Sequence, residues 1–280
     1  MAENYSVLMS VYYKEKPEYL REAMQSMFDQ TVPTNDFVLV CDGPLTKELD
    51  SVIEEKLKEH LELHVVRLKE NGGLGNALNY GMKFCKNELV ARMDSDDISY
   101  PNRCEKQLEI FQKMKKVSVC SGIIEEFIEN KECVENMRIL PEKNWEIILY
   151  AKRRNPFNHP CVMYKKSDVL AAGGYQDFFL LEDYYLWVRM LLNDCQGYNL
   201  QEPLLWMRTG SELYKRRGGW KYAKAQNRLF KIMKEKGFIK QGEYYSSISV
   251  RIIGALMSNR MRQFLYKKVL RKIRNSKNKY

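Results

Sequence analysis

The stretch Glu88-Leu-Val-Ala-Arg-Met-Asp-Ser-Asp-Asp97 joins an apolar run directly to a cluster of acidic residues. Its first part is typical of a buried strand, and residues 98–103, with Pro101 among them, are typical of a turn and the start of a helix. Open α/β sheets bind ligands at the carboxyl edge of their strands. The stretch therefore predicts a strand that presents carboxylates at that edge.

Asp94 and Asp96 are two residues apart, so both carboxylates can reach one hard cation from an extended segment. Mg²⁺ and Mn²⁺ prefer oxygen ligands and often share them with the phosphates of a substrate. The pattern thus suggests a divalent ion bound together with a diphosphate, for which a nucleotide-sugar is the obvious source. A lone Asp-x-Asp is more often a solvated turn, so the rest of the chain decides between the two interpretations.

Three segments that precede this stretch have the same organisation. Apolar strands at 7–11, 37–41 and 63–68 alternate with helical patterns, which predicts a mostly parallel sheet with both faces covered. Each strand runs into polar or turn residues, at 12–15, 42–44 and 70–73. Because the carboxyl ends of parallel strands share one edge, we expect these residues to form a nucleotide crevice.

The segment Asn71-Gly-Gly-Leu-Gly75 precedes a predicted helix. Its glycines either let the backbone approach a ligand or serve a tight turn, and the pattern is neither a Walker loop nor a dinucleotide fingerprint. A nearby carboxylate such as Asp42 can accept hydrogen bonds from a base or a ribose. Arg92 can either pair with Asp94 at the end of its strand or reach a phosphate.

Together these motifs make the chain resemble the family 2 inverting glycosyltransferases with the GT-A fold, and among them the exopolysaccharide transferases of the amylovoran type. The likeness is colinear from residue 5 to about residue 220. The segments that carry it are Ser10-Val-Tyr-Tyr-Lys-Glu15, Val40-Cys-Asp-Gly43, Asn71-Gly-Gly-Leu-Gly75 with Asn79, Ala91-Arg-Met-Asp-Ser-Asp-Asp97, Arg154-Asn-Pro-Phe-Asn-His159 and Glu182-Asp-Tyr-Tyr-Leu-Trp187.

The resemblance implies an α/β fold of the GT-A type, a Rossmann-like, mostly parallel sheet with flanking helices. Residues 1–215 would form the catalytic domain, with a nucleotide-binding half at 1–100 and an acceptor half at 101–215. Residues 216–280 would form a basic helical region that either lies on a membrane surface or packs on the catalytic domain.

The resemblance also implies roles for individual residues. The nucleotide-sugar site would include Val11, Tyr12, Glu15, Asp42, Asn71, Gly75, Arg92, Asp94 and Ser95. Asp96, with Asp94, would ligate Mn²⁺ or Mg²⁺, and Asp183 would be the general base that takes the proton of the acceptor hydroxyl. A base at the start of a helix is expected to stay ionised. Without the other motifs, an acidic pair at 182–183 would be ordinary for the first turn of a helix.

An acceptor or donor-sugar cleft is the expected place of His159, Glu182, Trp187, Arg216 and Trp220, although a buried structural histidine is an equally good interpretation of His159. Residues 215–220 combine cations, glycines and a tryptophan, a composition suited to a mobile loop that closes over a diphosphate. The sequence departs from some relatives in having no histidine after residue 159, and it lacks the Gln-x-x-Arg-Trp motif of processive synthases.

The charge of the chain is divided unevenly. Residues 205–280 contain 21 Lys and Arg against 3 Asp and Glu, whereas residues 1–204 contain 25 against 33, so a mildly acidic body carries a strongly basic tail. Within the tail, residues 248–274 alternate apolar and basic positions in an interfacial rather than a membrane-spanning pattern. We expect this segment to dock on an anionic membrane, or to pack its apolar side on the catalytic domain.

Seven scattered cysteines without Cys-x-x-Cys spacing, and an N-terminus without a signal-peptide pattern, favour a cytoplasmic protein. The basic tail favours a peripheral position on the inner face of the plasma membrane. The expected function is the metal-dependent, inverting transfer of one sugar from a nucleotide-diphospho-sugar, such as a UDP-sugar, to a glycan. In this interpretation the glycan is lipid-linked and the reaction belongs to surface polysaccharide assembly. Two alternatives are a sugar nucleotidylyltransferase, whose N-terminal glycine-rich signature is missing, and nucleic-acid binding by the tail, which lacks interleaved aromatic residues. We therefore expect no nucleic-acid partner.

Overall fold

The computed structural model describes residues 4–210 and 219–256. Its strands are β1 (Tyr5–Val11), β2 (Asp36–Cys41), β3 (Leu63–Arg67), β4 (Leu89–Asp94), β5 (Ile98–Ser99), β6 (Val117–Phe127), β7 (Asn136–Arg138), β8 (Met163–Lys165) and β9 (Gln196–Arg208). Its helices are α1 (Pro17–Phe28), α2 (Lys47–Glu59), α3 (Leu74–Met82), α4 (Arg103–Lys113), α5 (Asn144–Ala151), α6 (Lys166–Ala171), α7 (Glu182–Leu192), α8 (Gly219–Glu235) and α9 (Gln241–Leu256), with a short 3₁₀ turn at His159–Cys161.

The strands form one sheet in the order β3-β2-β1-β4-β8-β6-β9-β5, and β7 pairs with β6. The first four strands of that order are all parallel, with Val11 opposite Cys41 and Ser10 opposite Asp94. Their carboxyl ends therefore meet at one edge, as the alternation of strands and helices predicts. This edge carries the candidate active site.

Alternate residues of the central strands enter two apolar layers on opposite faces of the sheet. In β1, Leu8 belongs to one layer while Val7 and Met9 belong to the other. This is the period-two pattern of a strand that is buried on both faces. Such a strand is held rigidly, so the polar residues that follow it have a fixed position.

The second half of the sheet is mixed and corrects several details of the sequence prediction. The local pattern of residues 123–128 predicts an antiparallel or edge strand, but most of these residues belong to the long strand β6, which lies between β8 and β9. The apolar run at 204–208 predicts a last strand that begins at Leu204, whereas the observed strand begins at Gln196. The residue type of Ser167 predicts a helix cap, but the residue that precedes α6 as its N-cap is Lys165. Local sequence patterns missed these features because strand order and strand length depend on distant partners.

The helices α8 and α9 pack against the same body rather than standing apart from it. Leu229, Phe230 and Met233 of α8 are fully buried and join the apolar layer that contains Leu8. The rest of the predicted basic region, including Arg216 and residues 257–274, lies outside the described residues. Within the described part of the chain, no helix has the length and apolar character that crossing a bilayer requires.

Candidate active site

The acidic end of β4 is organised by two arginines. The guanidinium of Arg92, which is 1% exposed, donates to both carboxylate oxygens of Asp94, at 2.8 Å for Oδ2. The backbone N–H of Arg208, at the end of β9, donates to Asp97 Oδ1 at 2.9 Å, and its Nε donates to the carbonyl oxygen of Asp96 at 3.1 Å. The turn after β4 is therefore tied to a distant strand.

Asp94, Asp96 and Asp97 form a group in which one carboxylate oxygen from each residue lies within 4.8 Å of the other two. Burial, and then the charges of Asp94 and Glu15, raise the pKa of Asp96 to about 7. Carboxylates crowded at this separation repel one another, and a bound cation would reverse that effect. Oxygen donors at this spacing fit Mg²⁺ or Mn²⁺, with Asp96 and Asp94 as the residues that would hold the ion.

The loop after β1 meets the same turn. The hydroxyl of Ser95 donates to Glu15 Oε2 at 2.6 Å, which joins two residues that the resemblance assigns to the nucleotide-sugar site. Tyr12 is exposed on this loop. The side chain of Val11, in contrast, is 1% exposed and belongs to the core, so only the backbone of Val11 faces this edge.

Asp42 is buried, and its carboxylate holds the turn that follows β3. Its Oδ1 accepts the backbone N–H of Gly72 at 2.8 Å, and its Oδ2 accepts that of Gly73 at 3.0 Å. The side-chain amide of Asn71 donates to the carbonyl oxygen of Asp42 at 3.1 Å. In this conformation Asp42 positions the glycine turn, and contact with a base or a ribose would need some of these bonds to exchange.

The start of α3, directly after the glycine turn, lies against Tyr175 and the start of α7. A Cβ placed on Gly75 would lie 3.4 Å from Cβ of Tyr175 and 3.8 Å from Cβ of Glu182. Asn79, one turn further along α3, accepts the backbone N–H of Tyr175 through Oδ1 at 2.7 Å. Two segments about a hundred residues apart in sequence are thus held together at the site.

The acidic pair at the N-terminus of α7 is partly buried. The side-chain amide of Asn155 donates to Asp183 Oδ2 at 2.6 Å, and Asp183 Oδ1 accepts the backbone N–H of Tyr184 at 2.6 Å. Burial, and then the charge of Asp183, raise the pKa of Glu182 to about 7. The two carboxylates therefore differ: Asp183 is oriented by hydrogen bonds, and Glu182 titrates near neutrality.

His159 is buried, and its Nε2 lies 2.8 Å from the hydroxyl of Tyr175. Burial, and then the charge of Arg92, lower its pKa well below the ordinary value, so the ring is neutral at pH 7. The structure therefore corresponds to the structural interpretation of this histidine.

Trp187 also departs from its expected place in the cleft. It is fully buried in the core, where its ring meets that of Phe157 edge-on with centroids 5.4 Å apart. Trp187 is the sixth residue of the sequence motif, and it shares a helix face with the buried Tyr184 and Met190, three residues to either side, so its ring points into the protein. Trp220 is 58% exposed at the start of α8, and Arg216 is among the residues that the structure does not describe.

Several residues that organise the site had no role in the sequence interpretation. Asp97 and Asn155 lie inside quoted motifs, so their type and place were available signals, whereas Tyr175 carried only a weak one, a position after two glycines. Arg208 carried none, because its contacts with residues 96 and 97 bridge more than a hundred residues. Long-range pairing of this kind is a property of the fold and not of a local pattern.

A family model described as "Glycosyl transferase family 2" matches residues 6–168, more than half of the chain. A UDP-Gal:alpha-D-GlcNAc-diphosphoundecaprenol beta-1,3-galactosyltransferase of Escherichia coli is 39% identical over 272 residues, which cover 96% of this chain and 97% of that protein. The amylovoran biosynthesis glycosyltransferase AmsE of Erwinia amylovora is 38% identical over 267 residues, covering 94% and 98%. These findings confirm the family and the subgroup that the motifs indicate.

Solved structures agree with this assignment at the level of the fold. TarS 1–349 of S. aureus in complex with UDP-GlcNAc superposes with a TM-score of 0.66 at 17% identity, covering 95% of this chain and 76% of that one. The mannosyltransferase PcManGT of Pyrobaculum calidifontis, in complex with GDP-Man and Mn²⁺, gives a TM-score of 0.65 at 13% identity, covering 94% and 72%. The chain therefore belongs to glycosyl transferase family 2 and is a glycosyltransferase with the GT-A fold.

Proposed function

We propose that the protein is a metal-dependent, inverting glycosyltransferase that moves one sugar from a UDP-sugar to a lipid-linked glycan in surface polysaccharide assembly. One observation carries the proposal. The acidic cluster at the end of β4, braced by Arg92, and the acidic pair at the start of α7 lie at the same edge of the sheet. Asp94 and Arg92 are close enough to Glu182 to shift its pKa in opposite directions. This arrangement supports a donor site with a general base beside it.

The donor side rests on Glu15, Ser95, Asp94 and Asp96. A divalent ion held by Asp96 and Asp94 would neutralise the diphosphate as it leaves. The relative from Escherichia coli is named for UDP-Gal, and TarS has been solved with UDP-GlcNAc, whereas PcManGT was solved with GDP-Man. The higher identity of the first relative favours a UDP-sugar for this chain.

The acceptor side rests on Asp183. A carboxylate that accepts a proton from the acceptor hydroxyl makes that oxygen a better nucleophile, and attack on the face opposite the diphosphate inverts the anomeric carbon. Asn155 orients the carboxylate by donating to its Oδ2 at 2.6 Å. We assign Asp183 as the general base and Asn155 as a positioning residue.

The lipid-linked acceptor follows from the same relative, whose name specifies GlcNAc-diphosphoundecaprenol. A membrane-bound acceptor requires the enzyme to reach a bilayer surface. The basic residues of segment 248–274 supply cations for an anionic surface, and each cation near the headgroups contributes about 1 kcal/mol of binding free energy. We therefore propose peripheral binding on the cytoplasmic face of the membrane. Membership of this family leaves no support for the nucleotidylyltransferase alternative.

Calorimetric titration of UDP, GDP, CDP and dTDP, each with and without Mn²⁺, tests the donor site. We expect metal-dependent binding of UDP that Asp96→Asn abolishes. The matched control is Asp194→Asn, which makes the same change at an exposed aspartate just beyond α7, where φ is 59° and asparagine is well tolerated. Binding that is unaffected by Asp96→Asn, or absent for all four nucleotides, would contradict the proposed site.

A further inference from the structure

A groove of about 580 Å³ lies between α5 and the start of α9, outside the donor site. Its walls include Trp145, Leu149 and Tyr150 of α5 and the cations at positions 152–154. Two carboxylates also line the groove, and both are engaged as helix caps: Glu146 accepts the backbone N–H of Lys143 at 3.2 Å, and Glu243 accepts that of Lys240 at 2.8 Å. The groove thus has an apolar part and a cationic part.

The apolar part presents two large exposed side chains on one face of α5. Trp145 is 61% exposed and Leu149 is 55% exposed, and residues four apart on a helix share one face. A tryptophan and a leucine together on a surface are typical of a binding surface rather than of scattered solvent exposure.

The cationic part consists of Lys152, Arg153 and Arg154, which follow α5 directly. Both arginines are exposed, and across residues 4–210 and 219–256 none of the three forms an ion pair. Arginine pairs with phosphate through two parallel hydrogen bonds, so adjacent arginines suit a diphosphate.

Three hydrogen bonds hold this cationic segment against α7 and α9, and one of them reaches the candidate base. The hydroxyl of Tyr184, on α7, donates to the carbonyl oxygen of Ala151 at 2.6 Å. The guanidinium of Arg251, on α9, donates to the carbonyl oxygen of Arg153. Asn155, the next residue after the cations, donates to Asp183. A group bound at 153–154 would consequently have a defined position relative to Asp183.

We propose that this groove binds the isoprenoid-diphosphate part of the acceptor. Arg153 and Arg154 pair with the diphosphate, Trp145 and Leu149 contact the first isoprene units, and the acceptor sugar extends from the diphosphate toward Asp183. The inference rests on the proposed function and deepens it, because it names the acceptor class from the chemistry of the groove: an apolar surface and paired arginines beside the base.

Calorimetric titration of the full chain with farnesyl diphosphate, in EDTA so that the metal site does not compete, tests the proposal. We expect binding at least about tenfold tighter than that of farnesol or inorganic diphosphate, because the ligand engages both parts of the groove. The double variant Arg153→Ser with Arg154→Ser should bind farnesyl diphosphate about tenfold more weakly or worse. The double variant Arg153→Lys with Arg154→Lys should lose less affinity.

The matched control is Lys115→Ser with Lys116→Ser, which removes two adjacent exposed cations elsewhere and should leave farnesyl diphosphate binding unchanged. Leu149→Ser should weaken the binding of farnesyl diphosphate but not that of inorganic diphosphate. Leu61→Ser, at a residue that is 94% exposed after α2, should leave the binding of both ligands unchanged. Equal loss in the lysine control, or no loss in the arginine variant, would overturn the proposal.

Two further measurements separate the possible sources of failure. The first is binding to phosphatidylglycerol vesicles. If the native protein binds these vesicles, the arginine variant does not, and farnesyl diphosphate binds neither, the groove contacts a membrane surface and the acceptor-site proposal is overturned. Manganese-dependent UDP binding in the same variants reports on the donor site. If it persists while farnesyl diphosphate fails to bind, the groove proposal is wrong and the proposed function stands.

Discussion

At the scale of single residues, neighbouring carboxylates of this site are distinguished by their surroundings. Asp94 is neutralised by Arg92, Asp96 is crowded by other acids, and Asp183 is oriented by Asn155. Glu182 beside it has a pKa raised to about 7, chiefly by burial. Such divergence within one cluster is how a protein gives different tasks to chemically similar groups.

Asp183→Asn should lower the rate of sugar transfer by about a hundredfold to ten thousandfold, the usual contribution of a general base. Nucleotide binding should be unchanged, because Asp183 belongs to the acceptor side. The measurement is a transfer assay combined with calorimetry, and Asp177→Asn, an exposed acid six residues earlier, is the control. A variant that transfers sugar at the normal rate would exclude this assignment.

The raised pKa of Asp96 predicts how stability depends on pH without metal. The folded-state pKa of about 7 exceeds the ordinary value of 3.8, so between these values the folded state holds more protons than the unfolded state. The free energy of unfolding should therefore fall as pH rises through this window. In EDTA, Asp96→Asn should remove about 1–2 kcal/mol of that decline, after discounting for solvent around a partly buried group.

Urea unfolding at pH 5 and pH 8 checks this prediction, with Asp194→Asn as the control. Adding Mn²⁺ at pH 8 should stabilise the native protein and leave Asp96→Asn nearly unaffected. A native protein that becomes more stable as pH rises, to the same extent as the variant, would show that Asp96 is ionised at no cost.

At the scale of elements, the site depends on how the turn after β2 meets the turn after β3. Gly43 has φ of +87°, and a Cβ there would lie 2.7 Å from the backbone nitrogen of Asn71. Asp42 beside it binds the backbone N–H groups of Gly72 and Gly73. Two loops are thus joined by backbone contact that leaves no space for a side chain.

Gly43→Ala should destabilise the protein by about 1–3 kcal/mol, because alanine is strained at positive φ and its methyl group displaces the neighbouring backbone. Nucleotide affinity should fall as well, since the displaced turn borders the donor site. Thermal unfolding and calorimetry measure the two effects. Gly72→Ala is the control, because a Cβ at Gly72 would meet only side-chain atoms at ordinary contact distances, the nearest being Cβ of Asn76 at 3.5 Å. Equal effects of both substitutions would refute this explanation.

At the scale of the whole molecule, the basic C-terminal region of the sequence does not coincide with a separate unit of packing. Helix α8 is part of the core through Leu229, Phe230 and Met233, although the sequence there is basic. The predicted membrane segment 248–274 begins inside α9 and continues beyond the described residues. One region therefore combines a packing role with a charge of the sign that attracts anionic lipids.

Replacing four cations of the tail by glutamate should reduce binding to phosphatidylglycerol vesicles by at least about a hundredfold, given about 1 kcal/mol for each lost cation. The positions are Lys267, Lys268, Arg271 and Lys272. Vesicle sedimentation at low and high salt provides the measurement, and native binding should weaken as salt rises. The control replaces exposed lysines on the acidic body: Lys58, Lys69, Lys115 and Lys116. An equal loss in that control would indicate a net-charge effect rather than a tail site.

The sequence by itself determined the parallel half of the sheet and the position of the acidic residues at its edge. Period-two burial and helical spacing are local, and strands that alternate with helices leave few topologies open. The segment 88–97 alone defined a strand and its acidic end, and both agree with the structure. The family followed from colinear motifs, each of which is short enough to recognise without knowing the fold.

Only the tertiary structure decided which side chains meet. The engagement of Asp42 with the glycine turn, the burial of Trp187, the bond from Asn155 to Asp183 and the contacts of Arg208 all join segments distant in sequence. Residue type limits what such a side chain can do, but its partner depends on how the strands and helices pack. The residues of the site therefore lie in short local motifs, and their geometry arises from long-range packing.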